Sequence, residues 1–355
     1  MSKFCVFCGN PPENKNAEHI IPQWLIEMTG KKKRPIHLNN MVPNNGQMSF
    51  SAFKFPACEK CNSDFSHLEA NVKPIIVNIL SGNSVSAADL SLLLDWFDKV
   101  RIGLWLAELC LTKTVDEIAP HMHIANRMGL KDRMLIIERV ADRQNNVSFA
   151  GPGNPVFTYY PSAFQLWIND YTFTNVSEYG LVSRRLGFPY CDRMKFYDVQ
   201  DVRPNTVVKG TNRVQTPVIR GFTPSATQTV IYQPIYKNFN LLSPGMYQSP
   251  YVLSHSQDAA NGLGGIFYQQ SGHPTQYLDT NARLKVSPRI SGEDVFEMGA
   301  KLYQLHNYVI QNTYTTKFAT PQVQHEQALI QDQFVKYNQA MMQMCLEHKD
   351  TMKTK

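Results

Sequence analysis

The chain has 355 residues, 43% of them hydrophobic, and a formal net charge of +6. That apolar fraction excludes a wholly disordered chain, and the length allows one large domain or two ordinary ones. The charge permits a nucleic-acid partner without requiring one, and no apolar run reaches the roughly 18 residues of a membrane span.

The first residues, MSKFCVFCGN, contain no apolar leader segment, which predicts a cytoplasmic protein. In that compartment a close cysteine pair reads as a metal or redox site rather than a disulfide. Four of the seven cysteines form two such pairs, Cys5-x-x-Cys8 and Cys58-x-x-Cys61. Each pair can set two thiolates on one side of a tight turn, and two turns make a tetrahedral all-sulfur cage for zinc. A redox motif of the thioredoxin type is one pair beside a βαβ pattern, which neither pair has. The segment between the pairs, 9–57, is far longer than the roughly 15–20 residues of a simple zinc ribbon. The metal therefore closes the base of a loop. A closed four-cysteine site leaves no position for substrate and is structural, so the chemistry has to lie in what the loop presents. Cys110, Cys191 and Cys345 stand alone in apolar or mixed surroundings and read as small buried hydrophobes.

Residues 1–75 carry nine Lys/Arg against six Asp/Glu, half of the chain's excess positive charge. Lys31, Lys32, Lys33 and Arg34 are its dense part. Farther along, Ser86 with Asp89 reads as a capping box opening a helix over 86–113. Leu93, Trp96, Phe97, Val100, Leu104 and Ala107 recur there at helical spacing. From 133 to 240, short alternating runs split by Pro, Gly and Asn predict β-strands. From 240 to 290 the chain is polar and rich in Gly, Ser, Gln and Asn, which predicts long loops. Helices are expected over 293–312, after "SGED", and 321–350. The last carries a stripe of Val323, Ile330, Phe334, Tyr337, Met341 and Met344. It has two readings, packing on the chain's own core or a homodimer seam.

The order Cys5-x-x-Cys8, Glu18-His19-Ile20-Ile21-Pro22, Asn39-Asn40, Cys58-x-x-Cys61-Asn62 resembles the zinc-stapled HNH endonucleases. The likeness is to the variety reading EHIIPxW, a long insertion, then CxxCN and a Leu-Glu pair, here Trp24 and Leu68-Glu69. It covers about residues 4–75. The resemblance implies a ββα-metal domain over 1–80 with a four-cysteine structural zinc; beyond about residue 80 nothing is recognised, and the patterns there predict a larger mixed α+β region over 81–355 with C-terminal helices, so the whole reads as α+β. The resemblance also implies metal-dependent hydrolysis of phosphodiester bonds in double-stranded DNA, in settings such as restriction or phage defence. His19 would be the general base, oriented by Asn40 or its neighbour Asn39, through the side chain or the backbone. Glu18 and Asn62 would hold a catalytic Mg²⁺ or Mn²⁺, with Glu69, two helical turns after Asn62, beside them. Lys31, Lys32, Lys33 and Arg34 would contact DNA phosphates. Two letters depart from the family pattern, Glu18 where Asp is commoner and Phe65 where Lys is common. The alternative reading is a zinc-stapled nucleic-acid-binding module without catalysis.

Overall fold

The computed structural model describes residues 4–12, 16–37, 47–112, 128–129, 131–141, 145–151, 163–178, 190–195, 206–211, 225–236, 253–312 and 321–353. It is a mixed α+β protein whose sheets are mainly antiparallel.

The N-terminal part is built from very short strands. β1 (Ala17–His19) pairs with β4 (Lys54–Pro56), and β2 (Pro35–His37) with β3 (Gln47–Ser49), both antiparallel. Helix α1 (Gln23–Met28) follows β1, and a single 3-10 turn, Phe50–Ala52, leads into β4. Helix α2 (Glu59–Leu80) starts at the second cysteine pair and buries Val72, Ile75, Ile76 and Ile79 at helical spacing. A two-stranded hairpin is marginal by itself in water, so these pairs depend on what packs around them.

β5 (Ser84–Ser86) leads directly into α3 (Ala87–Thr112). The Ser86 N–H donates to Asp89 Oδ2 at 2.8 Å and the Asp89 N–H to Ser86 Oγ at 3.1 Å, the expected capping box. Leu93, Trp96, Phe97, Val100, Leu104 and Ala107 are all buried. Beyond α3 come β6 (Asp132–Val140), β7 (Val147–Ala150), β8 (Ala163–Ile168), β9 (Tyr171–Glu178), β10 (Tyr190–Lys195), β11 (Thr206–Thr211) and β12 (Thr229–Gln233). β8 and β9 join through Asn169 and Asp170, with Asn169 at φ 54°, the left-handed conformation that a two-residue hairpin turn needs.

Residues 240–252 of the stretch read as loops lie outside the described residues, and the remainder departs from that reading. From Ser256 onward it holds β13 (Ser256–Asp258), β14 (Leu263–Gly264), β15 (Phe267–Gln270), β16 (Gln276–Tyr277), β17 (Arg283–Lys285) and β18 (Ile290–Ser291). Among the described residues, eight strands form one sheet in the order β16-β15-β12-β6-β9-β8-β7, with β18 parallel to β6. β15, between β12 and the edge strand β16, carries one buried Phe267 among Tyr and Gln, and strands of four and two residues are too short to show a hydrophobic alternation.

Helices α4 (Val295–Asn312) and α5 (Pro321–Lys353) close the described chain. Asp294 Oδ1 accepts from the N–H groups of Phe296 and Glu297 at 2.9 Å and caps α4. α5 packs on α4 through Asn338 and Asn307, 2.7 Å apart, and through Lys349 and Glu297. Of its apolar stripe, Ile330 and Met344 stay exposed. A single hydrophobic cluster runs from Phe7, Ile20 and Leu25 through Trp96 and Phe97 of α3 to Phe164 and Phe173 of the sheet. α3 is thus the wall between the N-terminal elements and the sheet.

Candidate metal centre and candidate active site

Cys5, Cys8, Cys58 and Cys61 come together with their sulfur atoms all within 4.8 Å of one another. The first pair sits in a turn in which the Gly9 N–H donates to the Cys5 carbonyl at 2.9 Å, with Gly9 at φ 80°. The second pair opens α2, where the Cys61 N–H donates to Cys58 Sγ at 3.4 Å. Zinc–sulfur bonds of about 2.3 Å in a tetrahedron set sulfurs about 3.8 Å apart. Cys8 Sγ and Cys58 Sγ are 3.8 Å apart, so the four residues fit a metal ion such as zinc. Burial pushes the Cys5 thiol up to about 11 and raises Cys61 too. At Cys58 burial is the largest single influence, but hydrogen bonds from Cys61, Cys5 and Cys8 together hold the thiol below its ordinary value. A coordinated cation is what makes four thiolates tenable in such a place.

The staple ties together the elements that carry the other candidate residues. The Val6 N–H donates to the Pro56 carbonyl at 2.9 Å, joining the first cysteine turn to β4. On β1, period-two alternation sends Glu18 and His19 to opposite faces. His19 Nε2 lies 3.2 Å from the carbonyl oxygen of Ser51, in the 3-10 turn. A carbonyl only accepts, so Nε2 is the donor, and in the neutral ring the lone pair is then on Nδ1. Asn39 and Asn40 lie outside the described residues. Among the described residues the group that orients His19 is a backbone carbonyl, which no side-chain pattern could have announced.

The other face of β1 meets α2. Asn62 Nδ2 donates to Asn16 Oδ1 at 3.4 Å. Two residues on, Glu18 sits beside Glu69, and both carboxylates hold the ammonium of Lys99 from α3. Lys99 Nζ is 3.1 Å from Glu18 Oε1 and donates a shorter hydrogen bond to Glu69 Oε1. The Lys99 side chain is 0% exposed, and the two carboxylates are 12% exposed each. The Phe7 ring lies under the ammonium at 5.6 Å and stacks on Phe65, with centroids 4.4 Å apart. Phe65, the second departure from the family pattern, therefore has a packing role here. Burial pushes the Glu69 carboxyl up to about 7 against the pull of Lys99, and Glu18 adds to the rise.

Two carboxylates meeting at one point are donors suited to a hard divalent cation. That point is held by an ammonium, and two cations cannot share it. As packed, Glu18 and Glu69 do not fit a divalent cation. Among the described residues, the four cysteines are the one group of three or more His, Cys, Asp or Glu with metal-ligand spacing.

The basic run divides. Lys31, Lys32 and Lys33 are exposed, Lys32 pairing with Glu27 at 2.5 Å. Arg34 is turned inward. Its Nη1 donates to the carbonyls of Ile26 at 3.2 Å and Thr29 at 2.8 Å, and its Nη2 to Thr29 Oγ1 at 2.7 Å. It thereby satisfies the end of α1, whose last carbonyls have no helical partner. A Cβ at Gly30 would lie 2.6 Å from Arg34 Nη1, so the glycine makes room for this cap.

No family model, no curated protein and no solved structure matches this chain. Its function has to be argued from the geometry above.

Proposed function

We propose that the N-terminal region is an HNH-type endonuclease module that hydrolyses phosphodiester bonds of DNA, stapled by a structural zinc on Cys5, Cys8, Cys58 and Cys61. The observation that carries the reading is His19, held through Nε2 by the Ser51 carbonyl, a bond that leaves Nδ1 unused. It stands on a strand pair followed by a helix that opens at the second cysteine pair. In the proposed reaction His19 Nδ1 takes a proton from water while the water oxygen bonds to phosphorus. The bond from phosphorus to the leaving sugar oxygen breaks, and that oxygen departs with the electron pair and is protonated by solvent. Lys31 and Lys33, exposed beside this region, would contact phosphates and set position without reading sequence.

The ammonium between Glu18 and Glu69 favours a second reading, a zinc-stapled DNA-binding module that does not cut. One experiment separates the two. Purified zinc-loaded protein and His19→Ala are incubated with supercoiled plasmid and Mn²⁺. Nicking by the wild type, reduced at least a hundredfold by His19→Ala, supports the nuclease. No difference between them, with both proteins retarding DNA on a gel, supports the binding module.

A further inference from the structure

The large sheet has two unlike faces. Side chains alternate along a strand, so Leu135 and Ile137 of β6, Phe164 of β8 and Phe173 of β9 point into the core shared with α3. The opposite face lies under α4, where His306 reaches the Ala163 carbonyl. Its side chains include Glu138 of β6, Gln165 of β8, Thr174 of β9 and Gln228, just before β12, all of them buried. Polar groups withdrawn from water are costly unless each finds a partner. Here they line a cavity of about 200 Å³, closed on the α4 side by Lys301, Leu302 and Leu305. A dry cavity of about 150 Å³ takes benzene, so this one has room for a small molecule.

The walls are held in place and short of donors. Gln165 Nε2 donates to Thr174 Oγ1 at 2.7 Å, while the buried Gln165 Oε1 accepts from nothing among the described residues. Gln228 Nε2 donates to Glu138 Oε1 at 2.8 Å, and Gln228 Oε1 accepts from the Ser225 N–H at 2.9 Å. A carboxylate can accept more than that one bond. Among the described residues no cation pairs with Glu138, because Lys301, half exposed at the edge of the cavity, pairs with Glu293 instead. With both carboxylates ionised, two negative groups against one ammonium leave one negative charge in excess. Burial raises the Glu138 carboxyl above its ordinary value, against the bond from Gln228.

We infer that this cavity binds a small organic cation, an ammonium or a guanidinium, whose N–H groups donate to the Glu138 carboxylate and to Gln165 Oε1. The two acceptors select the ligand. An anion would face a carboxylate and an amide oxygen that need donors, whereas an N–H cation supplies the donors and the missing charge together. Hydrogen bonds from such a cation to a carboxylate are of the strong, charge-assisted kind. The inference stands apart from the nuclease reading, since the described residues that line the cavity all come from the sheet region and α4.

The test titrates the full-length, zinc-loaded chain with ethylammonium chloride and with methylguanidinium chloride at constant ionic strength, read by calorimetry and thermal unfolding. Tetramethylammonium, which carries the charge but no N–H, and acetate are the controls. At least one of the two N–H cations is expected to bind saturably and to raise the unfolding midpoint, and neither control to do so. The tighter of the two tells an ammonium site from a guanidinium site. Glu138→Gln keeps an oxygen for Gln228 and removes the charge, and it should weaken binding roughly tenfold or more. Gln165→Met keeps the charge and removes the unpartnered oxygen, and it should weaken binding by roughly threefold or more. Lys301→Met should bind the cation as tightly as the wild type or more tightly. A cavity that holds only water predicts no saturable binding of either cation, and that result overturns the proposal. So does tetramethylammonium binding as well as the N–H cations, or unchanged affinity in Glu138→Gln. Acetate binding that is lost in Lys301→Met would make this an anion site and overturn it as well. If Glu138→Gln fails to fold, Gln165→Met decides, and full affinity there overturns the proposal.

Discussion

The elements before α3 and the sheet beyond it are stabilised by different means. β1 to β4 are three residues each and present little apolar surface of their own. They are tied by four cysteines, a capped α1 and two carboxylates on one lysine. The sheet has strands of up to nine residues, and β6, β8 and β9 are buried almost throughout. The first region therefore adds a few specific bonds to the apolar side chains it shares with α3, and the second rests on many interchangeable contacts. Removing one group from the first should have a sharp, local effect, and removing one from the second a graded effect that spreads.

The strongest break is at the staple. Cys58→Ser, or a zinc chelator on the wild type, should unfold the N-terminal elements outright, because metal affinity in such a site is folding free energy. Loss of α2 protection in amide hydrogen exchange, with β8 and β9 still protected, is the expected pattern. Simultaneous loss everywhere would show that the shared core does not let the two regions separate. Next is Phe173→Ala, which removes a ring packed against Phe97 of α3, centroids 5.5 Å apart. It should cost about 3–5 kcal/mol in denaturant unfolding, with both regions affected because the ring lies at their common wall.

A smaller effect follows from acid. His306 of α4 is wholly buried, donating from Nε2 to the Ala163 carbonyl at 2.7 Å. Burial lowers it from 6.5 to about 4. The unfolded chain then takes the proton first as pH falls. This contribution is complete above pH 6.5 and is lost between there and pH 4, amounting to about 2 kcal/mol at pH 5. His306→Gln should flatten that part of the stability profile, and an unchanged slope would count against a neutral buried imidazole. The smallest is Ser86→Ala, which removes the α3 cap at a cost of about 1 kcal/mol, measurable as a shift in the denaturant midpoint with unchanged slope.

Legibility in the sequence followed the same division between local and distant. The capping box at Ser86–Asp89 and the apolar spacing of α3 are relations within four residues or repeated along one helix. They appear where the pattern puts them. The two CxxC pairs also declared themselves, since cysteines at that spacing have few other uses. The short strands β15 and β16 did not, because their pairing depends on neighbouring strands rather than on their own alternation. Arg34 looked like part of a basic run and is instead the cap of α1, a use visible only once the helix end is placed beside it.

The candidate site shows the same limit most sharply. Glu18, His19, Asn62 and Glu69 could be named from motif order, as could the staple that brings their elements together. Their partners could not. Ser51 serves through a backbone carbonyl, which every residue has, and Lys99 comes from 81 positions beyond Glu18. Local spacing encodes which side chains share a face of a helix or strand. Which charge finally neutralises a buried carboxylate is decided by packing, because only a desolvated contact makes one distant ammonium matter more than the solvent.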